Sequence, residues 1–178
     1  IAVVIFLMKK NKLVYIAGPT CSGKTKLSIV LADILNTEII SCDSRQIYKE
    51  ISLGTAKPCE NDLNKNKHHF INHISIHDNY NVGIYYKQSI KTLESIFKRR
   101  ETAILVGGSG LYADSVINGI DNFPKIKNSV KQRINLLLKK EGMKKLNSML
   151  KKYDPEYYRV VDKNNSRRVV RALEVCLS

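Results

Sequence analysis

The stretch Leu13–Thr25, LVYIAGPTCSGKT, limits what this chain can fold into more than any other. An apolar run breaks into a loop in which Gly18 and Gly23 enclose four residues and Lys24-Thr25 follow, the G-x-x-x-x-G-K-[ST] pattern. In such a loop, backbone N–H groups wrap phosphate oxygens and the lysine adds a compact positive charge. The residues behind it predict a helix, because Leu27, Val30, Leu31, Ile34 and Leu35 recur at helical spacing and mark its expected buried face. The partial positive charge at that helix's N-terminus adds to the anion site. Gly18, Pro19, Thr20, Cys21, Ser22, Gly23, Lys24 and Thr25 are therefore the candidate phosphate-binding residues.

Two further buried strands are expected at Glu38–Cys42 (EIISC) and Thr102–Val106 (TAILV). Between them, Tyr86, Ile90, Leu93, Ile96 and Phe97 give residues 85–99 a helical period that ends in cations. Strands alternating with helices predict an α/β fold, a P-loop NTPase-like parallel sheet flanked by helices. Ser44–Pro58 reads as a short helix around Ile47 and Ile51 followed by an ordered loop, and CENDLNKNK as polar surface. The 178 residues, 43% of them hydrophobic, suffice for one such domain with a small appendage. From Pro124 onward, Val130, Ile134, Leu137, Leu138, Met143, Leu146, Met149 and Leu150 keep helical spacing among many lysines. The organisation expected is a core domain at 8–123, a basic helical insertion at 124–164 and a helix at 165–178 returning to the core.

Chemistry-bearing residues fall at the carboxyl ends of the predicted strands, the edge where open α/β sheets bind ligands. Asp43-Ser44 ends EIISC, where a carboxylate facing the phosphate loop can take a proton or hold a metal; an Asx turn or helix cap accounts for the same residue. TAILV runs into GGSGLY, whose glycines permit close backbone approach and whose Ser109 offers a hydroxyl; a plain tight turn is the alternative. Glycines stand there where many ATPases carry a metal-holding acid, which disfavours a hydrolysis-driven motor. His68, His69, His73 and His77 cluster without the cysteine or carboxylate that would complete a tetrahedral metal set, so loop-positioning roles are expected.

A formal net charge of +14 favours a polyanionic partner such as nucleic acid, although a lysine-rich compositional bias produces the same figure. In the helical module and in Asn165–Val175 (NSRRVVRALEV), solvated surface charge competes with nucleic-acid contact as the explanation. Cys21, Cys42, Cys59 and Cys176 lie far apart without a C-x-x-C pair, which suits a reducing cytoplasm. The opening IAVVIFLMKKNK is apolar first and basic second, the reverse of a secretory signal, and too short to span a bilayer. Met8 is the expected natural start.

Taken in order, GPTCSGKT, DSRQIY, GTAKP, HHFI, GGSGLY and NSRRVVRALEV resemble the tRNA dimethylallyltransferase (isopentenyltransferase) family over nearly the whole chain from Leu13. The resemblance implies transfer of a dimethylallyl group from dimethylallyl diphosphate to the exocyclic amine of the adenosine 3′ of a tRNA anticodon, with Mg2+. The phosphate loop would then hold diphosphate rather than ATP, with Lys24 neutralising charge and Thr25 placed for magnesium. Asp43 would accept the amine proton. By the same resemblance Asp43, Ser44, Arg45, Gln46, Ser109, Lys131, Arg167, Arg168, Val169, Val170 and Arg171 match tRNA-contacting positions. A monomer is expected.

The chain departs from the family pattern at Cys21, where alanine is usual, at Ser109 for threonine, at Asn72 for aspartate and at Lys131 for arginine. Lys131 keeps the charge but loses bidentate geometry. Family members also continue past the RALEV helix, so the C-terminal part of the fold is expected to be missing. Two competitors stand beside this reading: an ATP-dependent small-molecule kinase in which Asp43 activates an acceptor hydroxyl, and a tRNA-binding remnant without activity.

Overall fold

A computed structural model describes residues 1–178 except Lys9, Asn122, Phe123 and Lys125. The elements are β1 (Ala2–Met8), β2 (Asn11–Ala17), α1 (Lys24–Leu35), β3 (Ile39–Ser41), α2 (Glu60–Lys65), β4 (His68–His69), α3 (Val82–Phe97), β5 (Thr102–Gly107), α4 (Gly110–Asn118), α5 (Asn128–Tyr153), α6 (Pro155–Val160) and α7 (Ser166–Cys176). They form two compact units, Ile1–Ile120 and Asp121–Ser178. The boundary expected between 123 and 124 falls at Phe123, outside the described residues.

In the first unit five strands form one sheet in the order β1-β2-β5-β3-β4. The β2–β5, β5–β3 and β3–β4 pairs are parallel, as the alternation of strands and helices predicts. β1 departs from the expected parallel sheet: it lies antiparallel along β2, Ala2 opposite Ala17 and Met8 opposite Asn11. Successive side chains on a strand point to opposite faces. Val14 and Ile16 of β2, Ile39 of β3 and Ile104 of β5 thus pack with Ile29 and Ala32 of α1. Leu13, Ile40, Ala103 and Leu105 pack on the other face with Tyr85, Leu93 and Ile96 of α3 and Ala113 and Val116 of α4.

Helix α1 begins where the phosphate-loop pattern predicts, but its buried face is rotated from the expected one. Ser28, Ile29 and Ala32 are buried, whereas Val30, Ile34 and Leu35 are 54%, 72% and 40% exposed. The helix is apolar nearly all round from Leu27 to Leu35, so spacing alone leaves its phase open. Small Ser28 and Ala32 let it approach the sheet, and the Ser28 hydroxyl is satisfied by the Thr25 carbonyl at 2.8 Å. Helix α3 starts three residues before the expected Tyr85 because the Asn81 side chain caps it, accepting from the Ile84 N–H at 3.1 Å.

Ser44–Pro58 contains no helix, contrary to expectation. The backbone there is committed to a distant segment: Lys49 N–H donates to the Ile74 carbonyl at 2.8 Å, and His73 N–H to the Ile47 carbonyl at 2.7 Å. The polar stretch after it forms the short exposed helix α2.

The second unit is helical. Helix α5 is interrupted at Gly142, whose φ of +70° is left-handed and so favours glycine. Asp154 caps α6 through the Tyr157 N–H (2.8 Å) and Asn165 caps α7 through the Arg168 N–H (3.2 Å). Ile134, Leu146 and Leu150 of α5 bury against Val161 and against Val169 and Leu173 of α7. The 165–178 helix, expected to return to the core domain, therefore spends its apolar face inside the helical unit. Among the described residues no helix is long and apolar enough to cross a membrane.

Candidate functional site

The Gly18–Thr25 loop turns at Gly23, whose φ of +91° caps α1 in the left-handed region where a side chain is strained. A cleft of about 550 Å3, open to solvent, lies over it. Thr20, Cys21, Ser22, Gly23, Lys24 and Thr25 form one wall. Lys24 Nζ donates to the Pro19 carbonyl, so the cation folds across the mouth of its own loop. The Ser22 hydroxyl is buried and has no hydrogen-bond partner among the described residues. Gly18 and Pro19 complete the loop, Gly18 by presenting its carbonyl 3.5 Å from where a Cβ on Gly108 would stand. The second glycine loop thus lies against the first.

Gly107 shows why that second loop begins with glycine. A Cβ there would meet the Cys42 carbonyl carbon and Sγ at 2.7 Å, closer than real contacts allow. Burial pushes the Cys42 thiol up to about 12, which keeps it an inert packing group beside Asp43. Past Gly107 and Gly108, Ser109 Oγ donates to Ser44 Oγ at 3.0 Å and accepts from the Ser44 N–H at 2.9 Å. Two residues singled out separately in the sequence are thereby joined.

Asp43 lines the same cleft, half-buried. Its Oδ1 accepts from the N–H of Arg45 at 2.9 Å and of Gln46 at 3.3 Å. The residue makes the Asx turn, and it stands at the strand end in the same cleft as the Gly18–Thr25 loop. Arg45 is exposed, whereas the Gln46 amide is engaged by Thr55 and Ala56, which also line the cleft.

The histidines disperse into separate contacts. His68 lines the cleft with Nδ1 2.8 Å from the Asn66 carbonyl, and burial holds its pKa below the ordinary value. His69 Nε2 lies 2.7 Å from Glu38 Oε2, and His73 meets the Phe70 ring edge-on. Glu38 gathers Arg99 at 2.7 Å and Lys67 at 3.5 Å as well. Burial alone would raise its carboxyl, but the His69 hydrogen bond and the two cations outweigh that and hold it below the usual carboxylate range. Among the described residues no group of three His, Cys, Asp or Glu side chains is close enough to hold a metal. The Thr25 hydroxyl and the Asp43 carboxylate, the two oxygen donors the sequence offers for a metal, both line the cleft, and Mg2+ takes one or two protein oxygens beside water and substrate phosphate.

The remaining candidates belong to the second unit. Lys131 is exposed on α5, and Arg167, Arg168 and Arg171 are exposed on α7, with Arg171 3.3 Å from Glu174. The three arginines border a groove with Asp154, Tyr157 and Ala172. Val170 is half-buried. Val169 is fully buried, so its side chain anchors α7 to α5 and is no surface contact, in contrast to its expected role. Sequence reasoning missed the Glu38 cluster, the cleft position of His68 and the Tyr85 hydroxyl bonded to the Ser41 carbonyl at 2.9 Å. The one available signal was Glu38 itself, a charge at the head of an otherwise apolar strand.

Residues of the Gly18–Thr25 loop, the strand-end Asp43 and Gly107 at the start of the second glycine loop thus line one cleft of the α/β unit. The family model for IPP transferase matches residues 46–178, and the chain belongs to that family. It is 46% identical over 167 residues to a tRNA dimethylallyltransferase of Christiangramia forsetii, covering 94% of this chain and 55% of that protein. A Flavobacterium johnsoniae relative of the same name is 44% identical over 171 residues. Among solved structures, the full-length tRNA isopentenylpyrophosphate transferase of Bacillus halodurans superposes with TM-score 0.61 at 35% identity, covering 94% of this chain and 55% of that one. A eukaryotic dimethylallyltransferase acting on tRNA reaches 0.79 at 29% identity, covering 92% and 40%. The chain spans about half the length of the curated relatives it matches.

Proposed function

We propose that the chain transfers a dimethylallyl group from dimethylallyl diphosphate to the exocyclic amine of the adenosine 3′ of the anticodon in tRNA, in the cytoplasm. The observation that carries this is the shared cleft, in which Lys24 and Thr25 stand on one wall and Asp43 on another. Membership of the IPP transferase family supports it, as do relatives named tRNA dimethylallyltransferase.

The amine nitrogen attacks the allylic carbon, the carbon–oxygen bond to diphosphate breaks, and the amine proton passes to the Asp43 carboxylate. The loop N–H groups and Lys24, swung from the Pro19 carbonyl onto the leaving group, hold the charge that develops on diphosphate. Thr25 would hold Mg2+, which when bound supplies further charge neutralisation of the diphosphate. The adenine must leave its stack to reach a cleft of this kind, and the exposed Arg167, Arg168, Arg171 and Lys131 suit contact with the RNA backbone.

The test is a transfer assay with labelled dimethylallyl diphosphate or γ-labelled ATP and a tRNA acceptor, followed by mass spectrometry of the RNA. Prenylated adenosine is expected, and phosphorylation from ATP of any small acceptor is not. Lys24→Ala should weaken dimethylallyl diphosphate binding by about 10- to 100-fold, of the order of one charge-assisted contact. Unchanged affinity in calorimetry would remove the cradle role.

A further inference from the structure

The 51–58 loop borders the cleft through Thr55, Ala56 and Pro58, yet little apolar burial secures it. Ile51, Ser52, Leu53 and Gly54 are all exposed, and Gly54 and Ala56 carry φ values of +72° and +48°. Left-handed backbone at a non-glycine residue is costly and persists only where surrounding contacts enforce it. Polar contacts supply the enforcement. Thr55 is buried with Oγ1 3.2 Å from the Ile51 carbonyl and 3.0 Å from the Ser52 carbonyl, and Lys57 Nζ donates to the Tyr48 carbonyl at 2.6 Å and to Asn72 Oδ1 at 2.7 Å.

Gln46 adds the contact that joins this loop to the carboxylate. Its Nε2 donates to the Thr55 and Ala56 carbonyls, both at 3.0 Å, and its Oε1 accepts from Ser41 Oγ at 3.3 Å. Ser41 Oγ in turn accepts from the Asp43 N–H at 3.3 Å, while the Gln46 N–H donates to Asp43 Oδ1. One residue thus touches the strand end and the far cleft wall through its side chain and the Asp43 turn through its backbone N–H. The chemistry requires an amide: two carbonyl oxygens need two donors, which a carboxylate lacks.

We propose that Gln46 is a positioning residue, a clasp that fixes the 51–58 wall against the Asp43 turn, rather than a direct contact to RNA. Both amide protons are committed within the protein, so neither is free to read a base. The inference rests on the proposed prenyl transfer only for the consequence of the clasp, which is to hold Asp43 and the substrate wall in one geometry.

The test compares Gln46→Ala and Gln46→Glu by hydrogen exchange on the whole chain, then by transfer kinetics. Local opening is read directly by exchange, so peptides across 52–58 should exchange about tenfold faster in both variants at pH 8, with β2 and β5 unchanged. At pH of about 5 and below, the glutamate carboxyl begins to protonate and regains a donor, so Gln46→Glu should recover part of its protection while Gln46→Ala does not. In transfer, kcat should fall about tenfold with KM for dimethylallyl diphosphate held within about twofold, the split expected when positioning rather than donor binding is lost. Wild-type exchange across 52–58 in both variants overturns the clasp. Acceleration spread through β2 and β5 also overturns it, because Gln46 would then support the fold at large. The local exchange signature with no transfer by the wild-type chain upholds the clasp and counts against the proposed function alone.

Discussion

The cleft of the first unit and the exposed cations of the second are built by different means. The cleft is built from backbone: a left-handed Gly23, loop N–H groups at the start of α1, and a Gly107 admitted only because it has no Cβ. The helical unit presents Arg167, Arg168 and Lys131 as exposed side chains on helices held by a separate core. A backbone-built site demands particular residues at fixed spacing and orients one small ligand. A side-chain face demands only charge, tolerates Lys131 where arginine is usual, and suits an extended polyanion.

That contrast breaks most sharply at Asp43. Asp43→Ala should lower transfer by about 10³-fold, within the range of a lost general base, while RNA affinity in filter binding stays near wild type. Near-normal turnover would remove the base assignment. In the second unit, the comparable blow has to strike the core beneath the charges. Leu146→Ala, at a fully buried position, should cost about 3 kcal/mol of that unit's stability in denaturant unfolding and leave binding of dimethylallyl diphosphate intact. Loss of diphosphate binding in that variant would contradict the separation of roles.

A smaller, pH-dependent effect sharpens the first unit. The folded Glu38 carboxyl is held below its ordinary value, so its cluster with His69, Lys67 and Arg99 stabilises the fold above the usual carboxylate range and loses that contribution as pH falls through the lowered value. Glu38→Gln should cost about 2 kcal/mol near pH 7 and flatten the loss of stability below pH of about 4. An unchanged acid profile would show the cluster to be inert. The smallest expected effect is at the basic face. Arg168→Ala should weaken RNA binding about threefold to tenfold and lower the slope of log affinity against log salt by about one, since it removes one phosphate contact among several. An unaltered slope would leave Arg168 as solvated charge.

Backbone-built features were the legible ones. The loop Gly18–Thr25, the start of α1, and strands β2, β3 and β5 follow from glycine spacing and apolar runs, because those patterns are local. Pairing of Ser109 with Ser44 was implied only in that both lie at strand ends. Features set by tertiary contact were not legible. The phase of α1 depended on which face the small Ser28 and Ala32 offered the sheet, and 44–58 gave up a helix to bond with 72–74. Val169 sits among arginines in sequence, yet points into the helical core, since a helix turns neighbouring residues to different faces. The roles of Glu38 and Gln46 rest on partners 31 and 10 residues away, which no local spacing announces.

The central claim is that this cleft grips the diphosphate of an allyl donor with Asp43 poised over the acceptor amine. The most direct measurement is mass spectrometry of a tRNA anticodon stem-loop incubated with the chain, Mg2+ and labelled dimethylallyl diphosphate. The account predicts label on the exocyclic amine of the adenosine 3′ of the anticodon, arriving about 10³-fold more slowly in Asp43→Ala. Unlabelled RNA, or labelling by Asp43→Ala at a near wild-type rate, would contradict it.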